Sequence, residues 1–117
     1  MNSLLFRVAA ALCFLAVALG AFGAHALKAT LQANAMTDVW NKAVLYHFVH
    51  AIALLVLATL PAANRAASAL LLAGIVIFSG SLYALALTNL KWLGWITPVG
   101  GLCFLAGWVC LVVRPSG

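Results

Sequence analysis

The stretch that decides the fold is residues 43–60, AVLYHFVHAIALLVLATL. It is long enough to cross a bilayer as a helix, because a transmembrane helix needs about 17 to 25 mostly apolar residues. His47 and His50 are three positions apart and therefore lie on nearly the same helix face. Ionisable residues inside a membrane span usually point at a partner, a cavity or a bound ion. The stretch predicts a membrane helix with a polar site on one face.

The composition of the whole chain is that of an integral membrane protein. Of 117 residues, 68% are hydrophobic and 6% are charged, whereas an ordinary soluble domain carries about 25% charged residues. The net charge is +5, but the six Lys and Arg residues are scattered singly and form no basic patch. We therefore expect the chain to sit in the lipid bilayer and not to bind nucleic acid.

Four apolar runs are separated by short turn-forming segments. They predict spans at about 5–27, 40–60, 66–87 and 95–113, within a single transmembrane domain, residues 1–117. The first run could also be a signal peptide, because Ala24-His25-Ala26 resembles a cleavage site, but the run is longer than a signal core. Short loops make consecutive helices antiparallel neighbours. The predicted fold is an all-α membrane protein, a four-helix antiparallel transmembrane bundle.

Local patterns give three further expectations. Thr37 or Asp38 is a suitable N-cap for the second span, and Asp38 is the only acidic residue of the chain. Small residues at every fourth position of the first span predict a face for close helix packing: Ala16, Gly20 and Ala24. Tryptophans near one end of the spans predict an interfacial belt: Trp40, Trp92 and Trp95.

The basic residues also predict an orientation in the membrane. The three arginines lie on the side that carries both termini, and the three lysines lie on the other side, where Asp38 offsets one charge. The positive-inside rule therefore favours a cytoplasmic location for both termini.

Polar residues collect toward the side of the first and third loops. A hydroxyl or imidazole in hydrocarbon needs a hydrogen-bond partner, so residues at similar depth on neighbouring helices are expected to interact. The opposite half of the bundle is expected to be almost entirely apolar. The sequence predicts a polar cluster to which all four helices contribute: His25, His47, His50, Ser79, Ser81, Tyr83 and Thr97.

Several functions are compatible with such a cluster. If its hydrogen bonds hold the helices together, the protein is an interaction or accessory subunit without a cofactor, and its partners are membrane proteins or further copies of this chain. Alternatively, His25, His47 and His50 ligate a metal or haem, or the histidines with Tyr83 bind a quinone or a lipid headgroup. A further alternative is an oligomeric small-solute carrier.

Catalysis is not favoured by the sequence. No G-x-S-x-G or H-E-x-x-H motif occurs, and Asp38 lies too close to the membrane surface to complete a Ser-His-Asp set. The three cysteines lie in apolar runs without C-x-x-C spacing, so neither a disulfide nor a structural zinc site is expected. No catalytic residue is predicted.

Several segments together resemble a known family. They are GAFGAHAL at 20–27, Trp40 with Lys42-Ala43, YHFVHA at 46–51, FSGSLY at 78–83, ITPVGG at 96–101 and Gly107-Trp108. On these segments the chain is similar to the small membrane proteins called domain of unknown function 423, which include the eukaryotic transmembrane protein 256. The resemblance implies four transmembrane helices, a bacterial inner-membrane location and no assigned activity. Asn89 stands where the family pattern suggests glycine.

Overall fold

The computed structural model describes residues 1–116, and long helices dominate it. Four helices are long and apolar enough to cross a membrane. They are called here the first to fourth spans: Ser3–Ala24, Thr37–Thr59, Arg65–Thr88 and Lys91–Val113. The predicted all-α, four-helix antiparallel transmembrane bundle is confirmed.

Shorter elements complete the chain. Helix α1 (Ser3–Ala24) is the first span, α2 (Lys28–Ala33) lies in the first loop, and α3 (Thr37–Thr59) is the second span. The third span joins α4 (Arg65–Gly74) to α5 (Gly80–Thr88) through a π-helical turn, Ile75–Ser79. The fourth span begins with a 3₁₀ turn, Lys91–Trp95, and continues as α6 (Thr97–Val113).

The spans pack as two hairpins that meet in the centre. The first span packs on the second, the fourth packs on the third, and the second and third spans contact each other. In the most apolar window of each central span 39% of the residues are buried, against 11% in the first span and 17% in the fourth. The two outer spans therefore expose most of their apolar side chains, as helices facing lipid do.

The interface between the first two spans differs from the predicted one. Its buried residues on the first span are Ala9, Ala16 and Gly23, seven residues apart, whereas Ala24 is exposed. A Cβ atom at Gly23 would overlap the indole of Trp40. The first span thus has a packing face of small residues, as the sequence predicted, but this face is rotated relative to the predicted one of Ala16, Gly20 and Ala24.

Trp40 is not part of an interfacial belt. It is 1% exposed, and its indole N–H donates a hydrogen bond to the carbonyl of Leu19 over 3.0 Å. Trp92 and Trp95 are exposed, as the belt requires. The cap prediction was also wrong, because the helix begins at Thr37 after Met36 and has no side-chain cap, which leaves Asp38 in the first turn.

The connections between spans have local causes. Leu60 is extended, as a residue before proline usually is, and it ends the second span. Asn89 ends the third span in the left-handed region, with φ 59°. Asparagine is one of the few residues besides glycine that tolerate this conformation, which explains why Asn89 can stand where glycine was expected.

Candidate functional site

His50 is hydrogen-bonded through both ring nitrogens. Its Nδ1 lies 2.7 Å from the Tyr46 carbonyl oxygen, and the indole N–H of Trp108 donates to Nε2 over 3.0 Å. Because an indole nitrogen can only donate, Nε2 must accept and the proton must be on Nδ1. The ring also stacks on Phe104, with centroids 3.7 Å apart. His50 is therefore a neutral imidazole that joins the second and fourth spans.

His47 has one satisfied nitrogen and one without a partner. Its Nδ1 lies 2.7 Å from the Tyr83 hydroxyl, which connects the second and third spans. Its Nε2 is buried and forms no hydrogen bond within residues 1–116. The Tyr83 ring also packs against Trp40, with centroids 4.8 Å apart.

The hydroxyl groups form two further links between helices. Ser79, in the π-helical turn, is fully buried and donates to the Ala43 carbonyl over 2.8 Å. Ser81 and Thr97 share a hydrogen bond of 2.6 Å between the third and fourth spans. These four side-chain links between spans share no residue. The polar residues therefore form separate bridges and not one continuous network.

His25 lies apart from the other candidates. It follows α1 in the first loop, is exposed, and makes no side-chain hydrogen bond to residues 1–116. Within this described part of the chain, no group of three or more His, Cys, Asp or Glu side chains is arranged to hold a metal ion. The structure thus does not bring His25, His47 and His50 together as one set of ligands.

An aromatic groove runs beside His50 on the outside of the bundle. Its volume is about 580 Å³. Tyr46 and Trp108 form part of its wall and are 43% and 41% exposed. The full lining is Tyr46, His50, Phe78, Pro98, Gly101, Leu102, Phe104, Leu105 and Trp108. We refer to this surface as the aromatic groove.

Trp108 is the residue of this region to which the sequence gave no role, although it belongs to a segment that carries the family resemblance. The available signal was its position, because it lies deep in the fourth span, away from the interface where tryptophans usually reside. An indole N–H in the hydrocarbon region needs an acceptor, and the Nε2 of His50 on the second span supplies it.

Comparisons with known proteins place this chain among small membrane proteins. Residues 19–101 match the family described as Protein of unknown function (DUF423). A UPF0382 membrane protein of Staphylococcus haemolyticus is 45% identical over 114 residues, 93% of each chain. YwdK, a UPF0382 membrane protein of Bacillus subtilis, is 45% identical over 105 residues, 85% of each chain.

A relative from Escherichia coli K12 adds a cellular location for that protein. YgdD, a UPF0382 inner membrane protein, is 44% identical over 106 residues, which cover 86% of this chain and 79% of YgdD. No solved structure shows a significant match to the chain.

Proposed function

The chain belongs to the family of membrane proteins described as Protein of unknown function (DUF423), and we propose that it is a non-enzymatic accessory subunit that associates with other proteins in the inner membrane. Both termini face the cytoplasm in this proposal, in keeping with the arginines on that side. The inner-membrane location follows the name of the Escherichia coli relative YgdD.

The observation that carries the proposal is the complete hydrogen bonding of His50. A histidine binds a metal or haem iron through a ring-nitrogen lone pair. The only lone pair of His50 accepts the Trp108 N–H, and its other nitrogen donates to Tyr46. Ligation would therefore break a bond between the second and fourth spans. The geometry supports a structural role for His50 in preference to a ligand role.

Three further contacts support the same conclusion. The His47–Tyr83, Ser79–Ala43 and Ser81–Thr97 contacts all link helices, and such bonds typically contribute about 0.6 to 2 kcal/mol each in a membrane. The groups in these three contacts are thus used inside the bundle, whereas the Nε2 of His47 is left without a partner within residues 1–116. What the molecule offers to its surroundings is the apolar surface of the first and fourth spans, on which other membrane helices can pack.

The proposal is tested on wild-type protein purified from its own membrane in mild detergent. We expect no Soret absorption band, much less than one metal ion per chain, and defined membrane proteins that co-purify in a constant ratio. The comparison variant is His47→Ala/His50→Ala, which removes both buried imidazoles. A Soret band or about one metal per chain that is lost in this variant would contradict the proposal and favour a cofactor protein.

A second candidate function is the binding of a quinone in the aromatic groove. The groove volume of about 580 Å³ lies within the range of about 300 to 1,000 Å³ typical of small-molecule pockets. The partly exposed rings of Tyr46 and Trp108 offer aromatic surface to a planar ring. The Tyr46 hydroxyl forms no hydrogen bond within the described chain and is available to a quinone carbonyl.

Quenching of tryptophan fluorescence by a short-chain quinone distinguishes this candidate. Saturable quenching is expected in the wild type, with weaker affinity in Tyr46→Phe and loss of the saturable signal in Trp108→Phe. Equal quenching of the wild type and Trp108→Phe would exclude the groove as the site.

A further inference from the structure

We propose that the terminal end of the bundle contains a binding site for a phosphate group, either as inorganic phosphate or as the phosphodiester of an anionic lipid headgroup. The terminal end comprises residues 1–5, residues 60–68 and Arg114. This site is independent of the accessory role proposed above and lies at the end opposite to the first and third loops, in the half that the sequence predicted to be apolar.

An open cavity of about 850 Å³ occupies the terminal end. This volume is within the usual range for ligand pockets, about 300 to 1,000 Å³, and a phosphate or a small headgroup occupies only part of it. The lining is Met1, Asn2, Leu5, Leu60, Pro61, Ala62, Ala63, Asn64, Arg65, Ala66, Ser68 and Arg114.

Hydrogen bonds fasten the chain segments that surround this cavity. The backbone N–H of Asn2 donates to the Ala58 carbonyl over 2.9 Å, which fixes the N-terminus to the second span. The side-chain amide of Asn64 donates to the Arg114 carbonyl over 2.8 Å, which fixes the end of the fourth span to the second loop. The cavity is therefore a built feature and not a gap between loose ends.

The charged side chains that line the cavity are both positive. They belong to Arg65 and Arg114. The single carboxylate of the chain belongs to Asp38, in the first turn of the second span near the first loop. No acidic side chain of the sequence therefore lies at this end to neutralise the arginines.

The type of basic residue also favours phosphate. All three arginines of the sequence lie on the side of the termini, whereas all three lysines lie on the other. A guanidinium group offers several N–H donors in a planar fork that matches two phosphate oxygens, while an ammonium acts as a point charge. Two guanidinium groups at one cavity are suited to clamp a single phosphate.

An unpartnered hydroxyl provides a second, independent indication of a ligand. Ser68 lines the cavity, is 9% exposed, and its buried oxygen forms no hydrogen bond within residues 1–116. Buried hydroxyl groups normally have a partner. A phosphate oxygen is an acceptor of the kind that this hydroxyl lacks.

The start of the third span adds backbone donors. The Asn64 side chain caps the Ala67 N–H over 3.1 Å, whereas the N–H groups of Arg65 and Ala66 lie before the first intrahelical acceptor. The positive end of the helix dipole favours an anion at this place. Side-chain charge, hydroxyl and backbone donors thus converge on the same ligand chemistry.

The arginines could alternatively serve only to orient the protein in the membrane. Arg7 separates the two roles, because it lies on the same side, carries the same charge and does not line the cavity. Loss of one charge at Arg7 has the same effect on orientation but leaves the site intact. Arg7→Gln is therefore the matched control for Arg65→Gln and Arg114→Gln.

The test measures ligand affinity of the purified full-length chain in non-ionic detergent, by native mass spectrometry and by thermal unfolding. The probes are phosphatidylglycerol against phosphatidylcholine with the same acyl chains, and inorganic phosphate against chloride at equal ionic strength. We expect each cavity variant to bind phosphate or phosphatidylglycerol about tenfold more weakly, the usual loss for one charge-assisted hydrogen bond. Arg7→Gln should bind as the wild type does.

The outcomes separate the two sources of phosphate. Stabilisation by both inorganic phosphate and phosphatidylglycerol identifies the phosphate group itself as the ligand, and stabilisation by phosphatidylglycerol alone identifies a lipid headgroup. Equal binding of phosphatidylcholine, or equal weakening in Arg7→Gln and Arg65→Gln, overturns the proposal. Should an arginine variant not fold, Ser68→Ala decides the question, because unchanged affinity in this uncharged variant also counts against the site.

Discussion

Two buried serines on the third span show how differently the two ends of the bundle use polar groups. Ser79, toward the first and third loops, donates a hydrogen bond to the second span. Ser68, three turns earlier at the terminal end, is buried beside an open cavity and lacks a partner. The same residue type is thus hydrogen-bonded across a helix interface at one end and left without a partner at the other. Burial alone does not reveal the role of a hydroxyl; its partner does.

The interface between the third and fourth spans also requires the backbones of the two helices to approach each other closely. A Cβ atom at Gly100 would overlap the backbone of Phe78. We expect Gly100→Ala to have the largest effect, a loss of about 1 to 3 kcal/mol in the free energy of unfolding, as overpacked sites show. The measurement is thermal or denaturant unfolding of the purified variant in detergent.

Gly80 is the matched control for this change. It begins α5 on the third span, two residues after Phe78, and a Cβ atom there would meet no atom within 4 Å. Gly80→Ala should be neutral or stabilise by up to about 1 kcal/mol, because alanine favours the helix. Equal destabilisation by both changes would mean that the closeness of the spans at Phe78 is not the cause.

An intermediate effect is expected for Trp108→Phe. The change keeps an aromatic ring but removes the N–H donor to His50, so one interhelical bond, worth about 0.6 to 2 kcal/mol, is lost. Trp95→Phe is the control, since Trp95 is 83% exposed and should change stability by less than about 0.5 kcal/mol. A loss no larger in Trp108→Phe than in Trp95→Phe would remove His50 from the structural role argued above.

The smallest effects compare the two serines directly. Ser79→Ala leaves the Ala43 carbonyl without its side-chain donor and should cost about 1 kcal/mol. Ser68→Ala removes a hydroxyl that has no bond to lose, so in phosphate-free detergent it should be neutral or slightly stabilising. Unfolding curves of the two variants side by side measure this difference. A greater loss in Ser68→Ala would show that its hydroxyl is bonded in solution.

The fold could be predicted from the sequence because the four apolar runs are long. Four runs that far exceed a soluble helix in hydropathy leave few alternatives in a bilayer. The predictions were wrong for residues whose hydrogen-bonding needs can be met in two different environments. Trp40 near a span end satisfies its indole N–H equally well at the interface or on a buried carbonyl, and composition does not distinguish these.

The candidate site was less predictable for the same reason. Helical spacing places His47 and His50 on one face, but their actual partners, Tyr83 and Trp108, depend on the rotation of neighbouring helices. His25 was grouped with them by depth and lies outside the interface because α1 ends at Ala24. The cavity at the terminal end was not foreseen, because its residues come from three separate segments that only folding brings together.

The π-helical turn, Ile75–Ser79, has a consequence for how this sequence can change over time. Each residue turns a helix by about 100°, and the wide turn lets α4 face the fourth span while α5 faces the second. A one-residue deletion in this segment would straighten the helix and rotate one half away from its neighbour. Apolar side chains can be exchanged for other apolar side chains within Ile75–Ser79, but the number of residues between Gly74 and Gly80 cannot change. The length of this short segment fixes the rotation of α5 relative to α4.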